Sequence, residues 1–166
     1  MNPYSLKWWQ LLILGSMSIA GSFWVHIENL FKIGERRHAF KKARQYATTV
    51  NKPVLNYGCE DTAFGDINVD ISAHIVPNFV QIEPSPAPTP FKDKQFAAVV
   101  CCHVIEHVPD PDSLMLELDR IADQVYMLAP NPIFLWTWIW PEHEWVFIRG
   151  RQFRIRSTLI SKIFQL

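Results

Sequence analysis

Three groups of residues in this 166-residue chain have the types and spacing to do chemistry. His103, Glu106 and His107 form H-x-x-E-H, two imidazoles and a carboxylate that bind zinc when they share one helical face. Here the triplet follows the apolar run Phe96–Cys102 and precedes Val108-Pro109-Asp110-Pro111. It is therefore expected in a loop, where a metallopeptidase needs an uninterrupted helix, and no metal is expected. The second group is Gly58-Cys59-Glu60-Asp61, in which a glycine ends a short apolar run and marks a tight turn. The third is Asp70 and Glu83, acids near the ends of two further strand-like segments. No G-x-x-x-x-G-K-[ST] loop and no G-x-S-x-G elbow is present, so nucleotide hydrolysis and α/β-hydrolase chemistry lack support. His74 and His143 are expected to be structural, His143 in a solvated turn between Glu142 and Glu144.

The elements that must position these groups read as alternating strands and crossovers. Strands are expected over 53–58, 66–71 and 78–83, followed by a spacer, Pro84 to Pro90, whose alternate prolines force an extended path. Phe96–Cys102 is continuously apolar, as for a strand covered on both faces of a parallel sheet. Asp110-Pro111 supplies an N-cap and a first-turn proline, and Leu114, Leu118, Ile121 and Ala122 recur at helical spacing through Asp123. A further strand is expected over 124–130. The fold class is α/β, a reduced Rossmann-like, open and mainly parallel sheet with a ligand crevice at its carboxyl edge. No internal repeat is evident.

Composition bounds the rest. Apolar residues at 49% and charged residues at 19% exclude a disordered chain, and 16 basic against 16 acidic residues argue against a nucleic-acid partner. Three cysteines, two of them adjacent, suit a reducing compartment rather than a disulfide framework. Trp8–Val25 contains no formal charge and is flanked by tryptophans, so residues 1–27 are expected to be a transmembrane anchor, a cleaved signal peptide and a buried core helix being the competing readings. Lys32, Arg36, Arg37, Lys41, Lys42 and Arg44 follow the span, against Lys7 before it. This predicts a single-pass protein with its N-terminus outside and its domain cytoplasmic. Residues 28–50 read as a cationic juxtamembrane helix, resting on headgroups or leading into the domain.

The segments VLNYGCEDTAFGDINVDI, PFKDKQFAAVVCCHVIEHVPDPDSLMLEL and VYMLAPNP carry a resemblance to class I S-adenosylmethionine-dependent methyltransferases, over about Pro53 to Pro132. The resemblance implies that the Gly58 turn approaches the cofactor's amino-acid portion, Asp70 holds the ribose hydroxyls, Glu83 lies near the adenine, and Cys102 and His103 line the crevice. Methyl transfer from a sulfonium needs chiefly alignment and a dry site, so no catalytic motif is obligatory. The chain departs from the usual Gly-Cys-Gly turn by placing Glu60 at the third position, which puts a charge near the cofactor's carboxylate. Residues 51–132 form the expected methyltransferase-like domain, and residues 133–166 leave room for at most one further pair of strands. In that segment Trp136, Trp138, Trp140 and Trp145 suggest a partner or membrane contact, and the basic residues of the tail point to headgroups or an acidic partner. The expectation is a catalytically degenerate, membrane-anchored protein that contacts the bilayer and other membrane-protein subunits as an accessory component. The alternative is an active methyltransferase acting on a membrane-associated small molecule, lipid or protein.

Overall fold

The computed structural model describes residues 8–155, except for the side chains of 8–15, 17–20, 135 and 136. It contains two compact units, residues 1–34 and 35–166. Helix α1 runs from Trp8 to Val50. Among the described residues no helix is long and apolar enough to cross a membrane, so the expected transmembrane anchor and single-pass topology are not supported. Most side chains of the expected anchor, those of residues 8–15 and 17–20, lie outside the described residues. Further along, the helix carries Glu28 and Lys32 as an i,i+4 ion pair at 2.8 Å.

In the second unit five strands form one parallel sheet in the order β3-β2-β1-β4-β5. They are β1 (Val54–Tyr57), β2 (Ile67–Asp70), β3 (Phe79–Gln81), β4 (Phe96–Cys102) and β5 (Ala122–Leu128). Every residue of β4 is buried, as its unbroken apolar run requires of a central strand. The strand order reverses between β1 and β4, and at such a switch point the two carboxyl ends diverge and open a crevice.

Both faces of the sheet are covered. Helix α2 (Pro111–Ile121) is capped by Asp110, whose carboxylate accepts from the Ser113 N–H at 3.1 Å, and buries Leu114, Leu118 and Ile121 with Leu55, Val69 and Val99. It ends two residues before the expected Asp123, because Lys94 caps it: its Nζ donates to the carbonyls of Asp119 and Ala122 at 2.6 and 2.7 Å. β5 accordingly starts at Ala122 rather than 124. The other face is covered by the end of α1, where Ala39, Phe40, Ala43 and Ala47 pack on Val54, Ala98 and Val100. Residues 35–50 thus form a layer of the domain, in line with the reading that this helix leads into it. Their apolar positions recur at helical spacing beneath the conspicuous lysines and arginines.

Beyond β5 lie a short helix α3 (Leu135–Ile139) and an antiparallel hairpin of β6 (Trp145–Ile148) and β7 (Arg151–Arg154). This is the one further strand pair that the sequence allows. Arg156 and Lys162 of the expected basic tail lie outside the described residues.

Candidate functional site

At the carboxyl ends of β1, β2 and β4 lies a crevice of about 540 Å³. Gly58 forms its floor with φ +72°, and a Cβ there would overlap the Cγ2 of Val104, so both the backbone angle and the close approach require glycine. The turn is bonded to the neighbouring strand. The N–H groups of Gly58 and Cys59 both donate to the Val69 carbonyl at 2.9 Å, and the N–H of Glu60 donates to Asp70 Oδ2 at 3.0 Å. Glu60 itself sits at φ +46°, a left-handed conformation costly for any residue but glycine, and its side chain is exposed at the crevice mouth. Burial holds the Cys59 thiol up at about 11, with the Asp70 charge adding to the effect, so it is no nucleophile at neutral pH.

Asp70 also accepts from the Ser72 N–H through Oδ1 at 3.1 Å. A carboxylate has about four acceptor positions, so two remain for a ligand's hydroxyl groups. His74 lies beside it, Nδ1 at 3.0 Å from Asp61 Oδ1 and Nε2 at 3.9 Å from Asp70 Oδ1. Among the sequence-derived candidates, Gly58, Asp70 and His103 line the crevice together, with Cys102. Glu83 is exposed and does not: Ile82, Pro84 and Ser85 take that part of the wall. The lining contains the carboxylates of Glu60, Asp70 and Glu142 and, among the described residues, no lysine or arginine.

The opposite wall comes from the H-x-x-E-H segment, which forms a single 3-10 turn at Ile105–His107 and not a helix. Glu106 is only 1% exposed, and neither of its oxygens has a hydrogen-bond partner among the described residues. The Nδ1 of His103 and the Nε2 of His107 approach its Oε1 to 3.6 and 3.7 Å, beyond hydrogen-bond length. His103 stands at φ +58°, and neither of its buried ring nitrogens has a hydrogen-bond partner among the described residues.

The segment beyond β5 is fastened onto this turn. The Glu144 N–H donates to the Glu106 carbonyl at 2.7 Å, and Trp145 Nε1 donates to the Val108 carbonyl at 2.9 Å. His107 Nδ1 lies 3.1 Å from the Glu142 carbonyl. His143 closes a turn, its N–H donating to the Trp140 carbonyl at 3.1 Å, but it is half-buried: Nδ1 is 3.0 Å from the Thr137 carbonyl and its ring packs edge-on to His107, centroids 4.9 Å apart. Two tryptophans of the expected contact surface hydrogen-bond within the domain. Trp138 Nε1 donates to the Pro132 carbonyl at 2.8 Å, Trp145 serves the turn, Trp140 is exposed, and the side chain of Trp136 lies outside the described residues. Glu142 and His143 are the site residues that sequence reasoning missed, because no local spacing ties them to a motif 35 residues earlier.

Residues 66–124 match the family model described as a methyltransferase domain. Neither the curated proteins nor the solved structures yield a match. The match covers 59 of the 166 residues, and the five-stranded parallel sheet is consistent with a class I methyltransferase fold.

The residues that line the crevice fit S-adenosylmethionine, the cofactor that such a domain implies. S-adenosylmethionine combines a sulfonium, an ammonium and one carboxylate, and a wall bearing carboxylates without basic residues suits such a net cation. The volume falls in the range of small-molecule sites.

Proposed function

We propose that the chain binds S-adenosylmethionine at the β1/β4 switch point and serves methyl transfer. The observation that supports this most directly is that Glu60, the departure from the glycine turn, is exposed at the mouth instead of filling the crevice. Gly58 would let the backbone approach the amino-acid portion, Asp70 would accept from the ribose hydroxyls, and Glu60 would face the cofactor's ammonium group. The bound cofactor would supply an electrophilic methyl group, leaving the protein to align the acceptor and exclude water. His103, whose ring nitrogens have no hydrogen-bond partner among the described residues, would take a proton from that acceptor.

The strained Glu60 favours a second reading, a chain that keeps the fold and acts as an accessory subunit of a larger complex. Calorimetric titration with S-adenosylmethionine and its demethylated product separates the two. Micromolar binding, weakened at least about tenfold in Asp70→Ala and not dependent on a Glu60→Gly change, is the expected result. No binding by the wild type, with recovery in Glu60→Gly, would transfer support to the accessory reading.

A further inference from the structure

The geometry points to a divalent metal site formed by Glu106, His107 and His143, for a borderline cation of the Zn²⁺ type. One ligand atom from each of these three lies within 4.8 Å of the others. A carboxylate with two imidazoles is a common ligand set for zinc and related metals. Three features set this cluster apart from an incidental gathering of polar groups.

The first is the buried carboxylate. Glu106 is almost fully enclosed, and neither oxygen is hydrogen-bonded among the described residues, an arrangement that burial of a charge does not tolerate without compensation. The second is the gap itself. His107 Nε2 and Glu106 Oε1 are 3.7 Å apart, too far for a hydrogen bond. An ion about 2.0–2.1 Å from each would fill that gap with a ligand angle of roughly 125–135°. The third is the tautomer. His107 directs Nδ1 at the Glu142 carbonyl, and His143 directs Nδ1 at the Thr137 carbonyl. Donation to a backbone carbonyl from one ring nitrogen places the lone pair on the other, the outer-shell arrangement by which metal-bound imidazoles are oriented.

The site is not the linear H-x-x-E-H peptidase arrangement. His103 approaches Glu106 but does not belong to the three-residue cluster, whose second imidazole comes from His143, outside the segment that matches the family model. Three protein ligands leave a fourth position for water or for a ligand in the crevice, which His107 also lines.

The test uses the full chain, stripped with chelator and titrated with Zn²⁺ by calorimetry and with Co²⁺ by visible absorption. One equivalent should bind, with a cobalt spectrum of nitrogen and oxygen ligation. His143→Gln should weaken binding at least about tenfold, and Glu106→Gln likewise, whereas His38→Gln, on the exposed surface of α1, should not. His143→Gln keeps the test open if Glu106→Gln misfolds, and thermal melts of each metal-free variant verify folding. Absence of stoichiometric binding by the wild type, or unchanged affinity in a folded His143→Gln, would overturn the proposal. Because the readout is metal alone, it can fail while cofactor binding holds, and the reverse.

Discussion

The two walls of the crevice solve the problem of buried polar groups in opposite ways. On the β1/β2 wall the turn N–H groups are bonded to Val69 and Asp70, and behind them Asn68 accepts from the Gly65 N–H at 3.0 Å and from Asn56 Nδ2 at 3.1 Å while donating to the Pro77 carbonyl at 2.8 Å. On the opposite wall Glu106 and His103 contribute four ring or carboxylate atoms with no such partner among the described residues. A satisfied network holds its shape without a ligand, whereas an unsatisfied one gains its partners only when something binds. The first wall is therefore a preformed cradle, and the second is the part whose energetics a ligand changes.

The largest effect should come from breaking the satisfied wall. Asn68→Leu keeps the approximate volume but strands the Gly65 N–H and the Pro77 carbonyl and removes one partner of Asn56. It should cost about 3 kcal/mol in urea denaturation, the sum of several orphaned groups. A loss below about 1 kcal/mol would show that water replaces these bonds and that the wall is not preformed.

A second effect sharpens the comparison by pH. Glu117 anchors the loop that completes the cradle: its Oε1 accepts from the Thr89 N–H and hydroxyl at 2.8 and 2.6 Å, and it pairs with Arg120 at 2.7 Å. Burial alone would raise its pKa, but the bonds from Arg120 and Thr89 outweigh that and hold it at about 2. A carboxyl depressed in the folded state stabilises fully above its ordinary range near 4.5 and loses that contribution as the pH falls towards 2. Thermal melts should therefore show about 2 kcal/mol of acid-labile stability from this group, absent in Glu117→Gln. An equal slope in both proteins would assign the acid transition to other carboxyls.

How much of this was legible in the sequence depends on how local each cause is. The strand positions, the Asp110 cap and the Gly58 turn follow from period, capping and backbone angle, and they fall within a few residues of expectation. The end of α2 was misplaced because its cap comes from Lys94, across the fold. The sheet-covering role of residues 35–50 was hidden because charge drew attention from the alanine stripe beneath it. The hairpin's attachment to the H-x-x-E-H turn rests on contacts across 35 residues and more, which no spacing rule reaches.

The smallest expected effect is the one that most directly sets the walls against each other. Asn68→Leu and Glu106→Gln both alter a buried polar side chain without a large change of volume, yet they should move stability in opposite directions. In metal-free protein the Glu106 carboxylate is buried with histidines near but not bonded, so neutralising it should stabilise the fold by about 1 kcal/mol. With Zn²⁺ present the order should reverse, since the wild type gains stability through ligand binding and the variant loses a ligand. Paired melts with chelator and with metal read both signs in one experiment. Destabilisation without metal would mean that the neighbouring imidazoles already balance the Glu106 charge, making this wall as satisfied as the other and removing the contrast on which its ligand-dependence rests.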